Sequence, residues 1–253
     1  MNIGIILLVL LAVLAGVLLA GLGRITLRRE PGLEGIESPE TAAAYDRIND
    51  WPQFRALRSM FAHKLASIHP TGILADIGCG PGRLAFLIAQ RHPGLHVIGV
   101  DAAEEMVRTA GSNASSRGFS NRVEFRLGDV GNLPMPDDSL DFAVSTFSLH
   151  HWSDPVKGLT EIHRVLKPGG QLLLFDLRRD PRRLFYWLMN FAQGVVVPDA
   201  LRRANEPLGS LLSSYTLSEL DDLFRRLPFH KYRAEGGVAW AFVWAVKGGP
   251  AAA

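Results

Sequence analysis

The chain has 253 residues, with 27 Lys plus Arg against 25 Asp plus Glu, and is 47% hydrophobic and 21% charged. Near-neutral charge and enough apolar content to bury a core exclude a disordered tail and a dedicated nucleic-acid binder. Its one cysteine, Cys79, can close no intrachain disulfide and build no multi-thiolate site, which excludes a stapled secreted scaffold and a zinc ribbon and fits a reducing compartment.

Residues 3–22 (IGIILLVLLAVLAGVLLAGL) carry no polar side chain, and as a helix they would be roughly 30 Å long, the thickness of a bilayer's hydrocarbon layer. A cleaved signal would have a basic start, a shorter apolar run and a small-x-small site, and a buried core helix would show a polar stripe. The expectation is a transmembrane anchor over 1–23. Arg24, Arg28 and Arg29 follow it and nothing basic but the terminal amine precedes it. That asymmetry predicts a single-pass membrane protein, N-out, with its catalytic domain in the cytoplasm. Residues 24–40 contain proline, glycine and mixed charge and read as a juxtamembrane linker, leaving 41–253 as the folded domain.

Within that domain the apolar spacing predicts two helices over 41–68, broken at Pro52. A strand over 72–77 runs into the turn Gly78-Cys79-Gly80-Pro81-Gly82, and a helix follows over 83–90. Strand 95–100, helix 103–117, strand 123–127, strand 140–145, a helix over 156–166, the turn 167–170 and strand 171–176 continue the pattern. Such alternation predicts an α/β fold, a doubly wound, mostly parallel sheet with helices on both faces. A helix over 216–226, begun by Thr or Ser, and a hairpin of 229–235 and 238–246 around Gly236-Gly237 then place antiparallel strands at the sheet's edge.

In such sheets ligands sit beyond the carboxyl ends of the strands, where a glycine turn admits them. Nineteen residues after Gly82 stands Asp101, at the end of the second strand, where a carboxylate can accept both hydrogen bonds of a ribose diol. The pair indicates a nucleoside cofactor. A dinucleotide site uses G-x-G-x-x-G to deliver pyrophosphate to a helix N-terminus, whereas here glycines stand at 78, 80 and 82 behind an acidic Asp76. That carboxylate would repel a pyrophosphate and suits a ligand with an ammonium group, such as S-adenosylmethionine. Cys79 has no basic neighbour and reads as a small packing residue rather than a nucleophile.

The segments DIGCGPGRLAFLIA (76–89), VIGVD (97–101), GDVGNLPMPDDSLDFAVS (128–145) and LKPGG (166–170) together resemble the class I S-adenosylmethionine-dependent methyltransferases, type-11 group, which includes the quinone and sterol C-methyltransferases. The resemblance spans about 45–247. It implies a Rossmann-like methyltransferase fold of seven strands in the order 3-2-1-4-5-7-6, the seventh antiparallel. It also implies S-adenosyl-L-methionine as cofactor, with Gly78 and Gly80 at its methionine part, and Cys79 and Ala102 beside them. Asp101 would take the ribose hydroxyls, Met106 the adenine face, and Asp129 with the Val130 amide the adenine edge. Asp76 would lie beneath the loop, arranging its amides or meeting the ammonium through water, Ser145 and Thr146 would close the methionine side by backbone contacts, and Tyr45 would belong to an N-terminal helix folded over the cofactor. Taken singly, Asp101 also reads as a helix cap, Asp129 as a turn residue and Met106 as core filler.

Methyl transfer from a sulfonium chiefly requires positioning, and a base only where the acceptor must lose a proton. His150 and His151, after the fourth strand, are the candidate catalytic bases; the alternative is that they wall the pocket or cap the next helix. No metal site is expected, because adjacent histidines diverge and no third ligand stands at useful spacing. Acceptor choice falls to a lid insertion at about 178–214, whose start, RRDPRRLFYWL (178–188), is basic and then aromatic and apolar and suits an anionic membrane surface. The expected partners are a small-molecule or lipid-like acceptor, quinone-like or prenylated, and the membrane. No nucleic acid is expected, and the sequence fixes no oligomeric state. Alternatives are a merely tethered enzyme of soluble small molecules, a nicotinamide-dependent reductase, and a non-catalytic cofactor-binding scaffold. Lys167 is expected to be solvated.

Overall fold

The computed structural model describes residues 21–32 and 39–249. The expected anchor therefore lies outside the described residues except at its end, and among the described residues no helix is long and apolar enough to cross a membrane. Two helices open the domain, α1 (Pro39–Ile48) and α2 (Pro52–Ala66). Pro52 starts the second because a first-turn residue needs no N–H partner.

Then follow β1 (Ile73–Ile77), α3 (Arg83–Arg91), β2 (His96–Asp101), α4 (Glu104–Arg117), β3 (Val123–Leu127), β4 (Leu140–Thr146), a 3-10 turn (Leu149–His151), α5 (Pro155–Val165) and β5 (Leu166–Leu177). The insertion supplies α6 (Arg183–Val195), α7 (Asp199–Arg203) and α8 (Leu208–Ser213), before α9 (Leu217–Phe224), β6 (Phe229–Gly236) and β7 (Trp240–Lys247). Helix starts follow local chemistry. The Asp154 carboxylate accepts from the Lys157 amide at 2.9 Å to begin α5, and Thr216 with Glu219 forms a reciprocal capping box at α9.

The seven strands lie in the order β3-β2-β1-β4-β5-β7-β6, as the resemblance implied. β7 pairs antiparallel with both β5 and β6, so β7 alone runs against the others and the edge strand β6 is parallel to them, a correction to a wholly antiparallel edge. Alternation along β1 sorts its side chains between two cores. Ala75 and Ile77 pack with α5 and α9 on one face, and Leu74 packs with α2 and α3 on the other.

Two further expectations change. Residues 167–170 form a bulge inside β5, because Leu166 pairs with Leu140 and Gln171 with Phe142. Lys167 is not free there: its Nζ donates to both Asp141 carboxylate oxygens at 2.8 and 2.9 Å. The described part of the expected linker is stitched to the domain. The Ile25 and Leu27 amides donate to the Pro181 and Arg179 carbonyls, and the Glu30 amide to Leu212, while Arg24 reaches the Asp180 and Gly237 carbonyls. Half of the basic stretch also turns inward, for Arg178 pairs with Asp180 and Arg179 with Glu219, and both arginines are buried.

Candidate active site

Beyond the carboxyl ends of β1 and β2 lies a cavity of about 580 Å³. The glycine turn forms its floor. The Gly78 and Cys79 amides both donate to the Val100 carbonyl, at 2.8 and 3.0 Å, folding the turn over the end of β2. Gly78 has φ +73° and lies so close to Ser148 that a Cβ would sit 2.1 Å from its Oγ; Gly80, at φ +50°, has open space where a Cβ would be. The first glycine is demanded by packing and the second leaves room above the turn.

Asp101 joins the turn to α4. Its Oδ2 accepts from the Gly80 amide at 2.7 Å and its Oδ1 from the Ala103 amide at 2.9 Å, and each oxygen keeps a lone pair for a further donor. Burial raises its pKa against the pull of those two amides. The Oδ1 bond goes to the Ala103 amide, ahead of the first turn, and α4 has no side-chain cap, so Asp101 braces the loop beside the cavity and is not the helix cap of the alternative reading. Asp129 serves a tight turn, accepting from the Gly131 amide at 2.7 Å, while facing the cavity. Tyr45, Gly78, Gly80, Asp101, Ala102, Met106, Asp129, Val130 and His151 all line the space.

The remaining expected residues stand elsewhere. Cys79 and Thr146 border a smaller recess next to the cavity, which shares Tyr45, Gly78 and Gly80 with it; burial pushes the Cys79 thiol well above its ordinary value. Ser145 is fully buried and donates from Oγ to the Ile77 carbonyl at 2.8 Å, so its side chain ties β4 to β1 and only its backbone is left for the contact expected of it. Asp76 lies beneath the turn, almost wholly buried, and among the described residues neither carboxylate oxygen has a partner at full hydrogen-bond geometry, the Ala85 amide standing nearest in effect. Burial first, and then the charge of Asp101, push its pKa up to about 7.

The two histidines separate. His150 is buried, with Nδ1 2.6 Å from Asp176 Oδ1, and its amide donates to Asp176 Oδ2 at 3.1 Å. It is a strut between the 3-10 turn and β5, which corrects its candidacy as the group facing a substrate. His151 does face the cavity, its ring centroid 4.1 Å from that of His150.

Comparison with known proteins agrees with this geometry. A family model described as "Methyltransferase domain" (type 11) matches residues 75–174. The demethylmenaquinone methyltransferase of Thermus thermophilus is 33% identical over 176 residues, covering 69% of this chain and 76% of that protein. The ubiquinone/menaquinone biosynthesis C-methyltransferase of Geotalea daltonii is 31% identical over 160 residues, covering 62% and 68%. The chain belongs to the class I S-adenosylmethionine-dependent methyltransferases. Among solved structures, the plantazolicin methyltransferase BpumL in complex with SAH superposes with a TM-score of 0.67 at 16% identity, covering 84% of this chain and 92% of that one. A SAM-dependent methyltransferase of Aquifex aeolicus gives 0.58 at 20%, covering 83% and 98%. At such identities these two likenesses speak for the fold alone.

S-adenosylmethionine is the cofactor of this methyltransferase, and the residues present fit it. A sulfonium amino acid brings an ammonium group, and the buried Asp76 carboxylate, with no partner at full hydrogen-bond geometry among the described residues, lies beneath the turn. A nucleoside brings a diol, and Asp101 offers two acceptor oxygens. The nicotinamide alternative falls with the family. Among the described residues no cluster of His, Cys, Asp or Glu could hold a metal ion.

The sequence did not single out Ser148, Lys157 or Glu206. Ser148 lines the cavity and its Oγ accepts from Trp152 Nε1 at 2.9 Å, and Lys157 lines it from the first turn of α5. Glu206, buried in the lid, accepts from Ser210 at 2.7 Å. Burial, and then the Glu206 charge, push the Tyr45 hydroxyl up to about 12, so it stays a proton donor. The Asp154-Pro155 cap signalled where α5 starts, and hence Lys157; nothing local signalled Glu206, which reaches Tyr45 only through the packing of α7 on α1.

Proposed function

We propose that this methyltransferase works at a membrane and methylates a small, lipid-like acceptor of the quinone class. The relatives' names support the acceptor class, and the apolar run 3–22 followed by Arg24, Arg28 and Arg29 supports a single-pass anchor with the domain in the cytoplasm.

The observation that carries the reading is the double engagement of Asp101 with the Gly80 and Ala103 amides at the cavity floor. It fixes two acceptor oxygens where ribose hydroxyls are to be held. Asp129 and the Val130 amide take the adenine edge and Met106 its face. Gly78, Gly80 and, from the neighbouring recess, Cys79 and Thr146 surround the methionine part. Asp76 arranges the turn's amides or meets the ammonium through water. Bound S-adenosylmethionine supplies an electrophilic methyl group on a sulfonium whose departure leaves a neutral thioether. The chain's own task is then to orient an acceptor against that methyl and keep water out.

Tyr45 on α1 lines the space, and the lid helices brace its walls from outside. α7 packs on α1, and α8 packs on the 3-10 turn that carries His151, so the insertion bridges both walls. Where the acceptor must lose a proton, we assign its removal to His151, which lines the cavity while His150, bound to Asp176, anchors the 3-10 turn behind it.

Transfer of labelled methyl from the cofactor into a total membrane extract, read by mass spectrometry, tests this directly. A labelled hydrophobic product is expected. Label confined to water-soluble molecules would overturn the acceptor class, and cofactor binding without any turnover would favour a scaffold.

A further inference from the structure

α6 has no buried residue among its 13, an unusual state for a helix of Leu, Phe, Tyr, Trp and Met. Trp187, Leu188, Phe191 and Val195 are 48%, 58%, 67% and 67% exposed. At 100° per residue they fall in an arc of about 100°, one continuous outward stripe. Its first-turn member, Leu184, also lies in that arc and is met by Gly21, where an added Cβ would come within 2.9 Å of the Leu184 Cβ. The apolar stripe therefore begins where residues 1–20 join the described chain.

That junction is held firmly. The Arg183 amide donates to the Gly23 carbonyl at 2.8 Å, and Ile25 pairs with Pro181. Arg24 and Arg182 form an antiparallel bridge. Leu22, 53% exposed, stands beside them. Residues 3–20 contain no polar side chain, so an environment that receives them is within a residue or two of the α6 stripe. Charge agrees: Arg28 and Arg183 are exposed at the same junction, and neither has an ion pair among the described residues. Apolar surface flanked by unpaired guanidinium groups matches the boundary between acyl chains and anionic headgroups. On its inner side α6 packs against α8, which touches the turn bearing His151.

We propose that α6 lies in the lipid interface, its Trp187–Val195 stripe among acyl chains, and forms the side of the lid through which the acceptor passes from bilayer to cavity. This rests on the membrane reading above and adds to it the docking surface and the direction of entry.

The test uses the full chain reconstituted in phosphatidylcholine–phosphatidylglycerol vesicles. Their acyl chains are brominated near the headgroup or near the terminal methyl. The emission of Trp187 is obtained as the difference between the parent protein and W187F. Loss of more than half of that emission with shallow bromine, and a smaller loss with deep bromine, is expected. F191E should restore the emission while leaving S-adenosylmethionine affinity by calorimetry unchanged. Unquenched Trp187 in protein that still floats with the vesicles would overturn the docking alone. Cross-links joining two copies through position 191 would also overturn it, in favour of a dimer. Protein that does not float would overturn both the docking and the membrane anchor, and the calorimetry would still report the cofactor site separately.

Discussion

Asp101 and Gly80 are joined by a 2.7 Å hydrogen bond from the glycine amide to the aspartate Oδ2, and the other aspartate oxygen takes the Ala103 amide. One side chain thereby shapes the turn, braces the loop that leads into α4 and lines the cavity. Bonds to a charged acceptor are worth about 1.5–3 kcal/mol each. Asp101→Ala loses both, together with the diol contacts, and should weaken S-adenosylmethionine binding by at least about 100-fold. Full affinity by calorimetry would remove Asp101 from the site.

Asp76 makes the ligand-free protein sensitive to pH. Burial and the Asp101 charge hold it at about 7 against an ordinary 3.8, so between those values the folded chain binds more protons than the unfolded one. Stability from this group should therefore fall as pH rises through that window, and Asp76→Asn should flatten the dependence in thermal melts. An ammonium beside Asp76 favours its ionised form, so cofactor binding near pH 7 should release a proton. Binding enthalpies that do not vary with the ionisation heat of the buffer would contradict that placement.

The two glycines of the turn should respond differently to a methyl group. Gly78→Ala adds a Cβ 2.1 Å from Ser148 Oγ at a φ of +73°, and should lower stability by more than about 2 kcal/mol. Gly80→Ala meets no atom within 4 Å at φ +50°. It should cost only the left-handed strain of about 1 kcal/mol, with most of its effect on cofactor affinity. Melting curves and calorimetry on the pair separate these outcomes.

Between the histidines, His151→Gln should lower kcat by about 100-fold if proton removal accompanies transfer, with the melting temperature unchanged. His150→Ala breaks a buried bond to Asp176 and should cost about 1–3 kcal/mol of stability. Equal kcat losses in both variants, without destabilisation of the second, would reverse the assignment.

At α9, Thr216→Ala removes a capping box and should cost about 1 kcal/mol, lowering the melting temperature by about 2–4 °C. Cofactor affinity should not change, because the box is remote from the glycine turn in sequence and caps a helix of the α5 face.

Much of this was legible in order along the chain. Strands such as β1 and β2 are buried on both faces, and their unbroken apolar runs declare it. The glycine turn, Asp101, the break at Pro52 and the cap at Thr216 are local chemistry and act within a few residues of where they are written. The described boundaries differ from expectation by only a residue or two at most of these elements, because backbone hydrogen bonding and side-chain period are short-range.

What the sequence could not determine was which neighbours distant residues would meet. Adjacent in sequence, His150 and His151 were one candidate until the 3-10 turn sent the first to Asp176 and the second to the cavity. The side chain of Ser145 had no assigned partner in the sequence and became an interstrand tie, since the pleat of β4 aims it at the Ile77 carbonyl. Residues 24–40 read as a linker because proline, glycine and charge mark loops, yet the amides of Ile25, Leu27 and Glu30 find carbonyls across the lid. Local pattern fixes period, caps and turns; partners far apart in the chain are chosen by tertiary packing, which alone brings Glu206 near Tyr45 and leaves the apolar face of α6 uncovered.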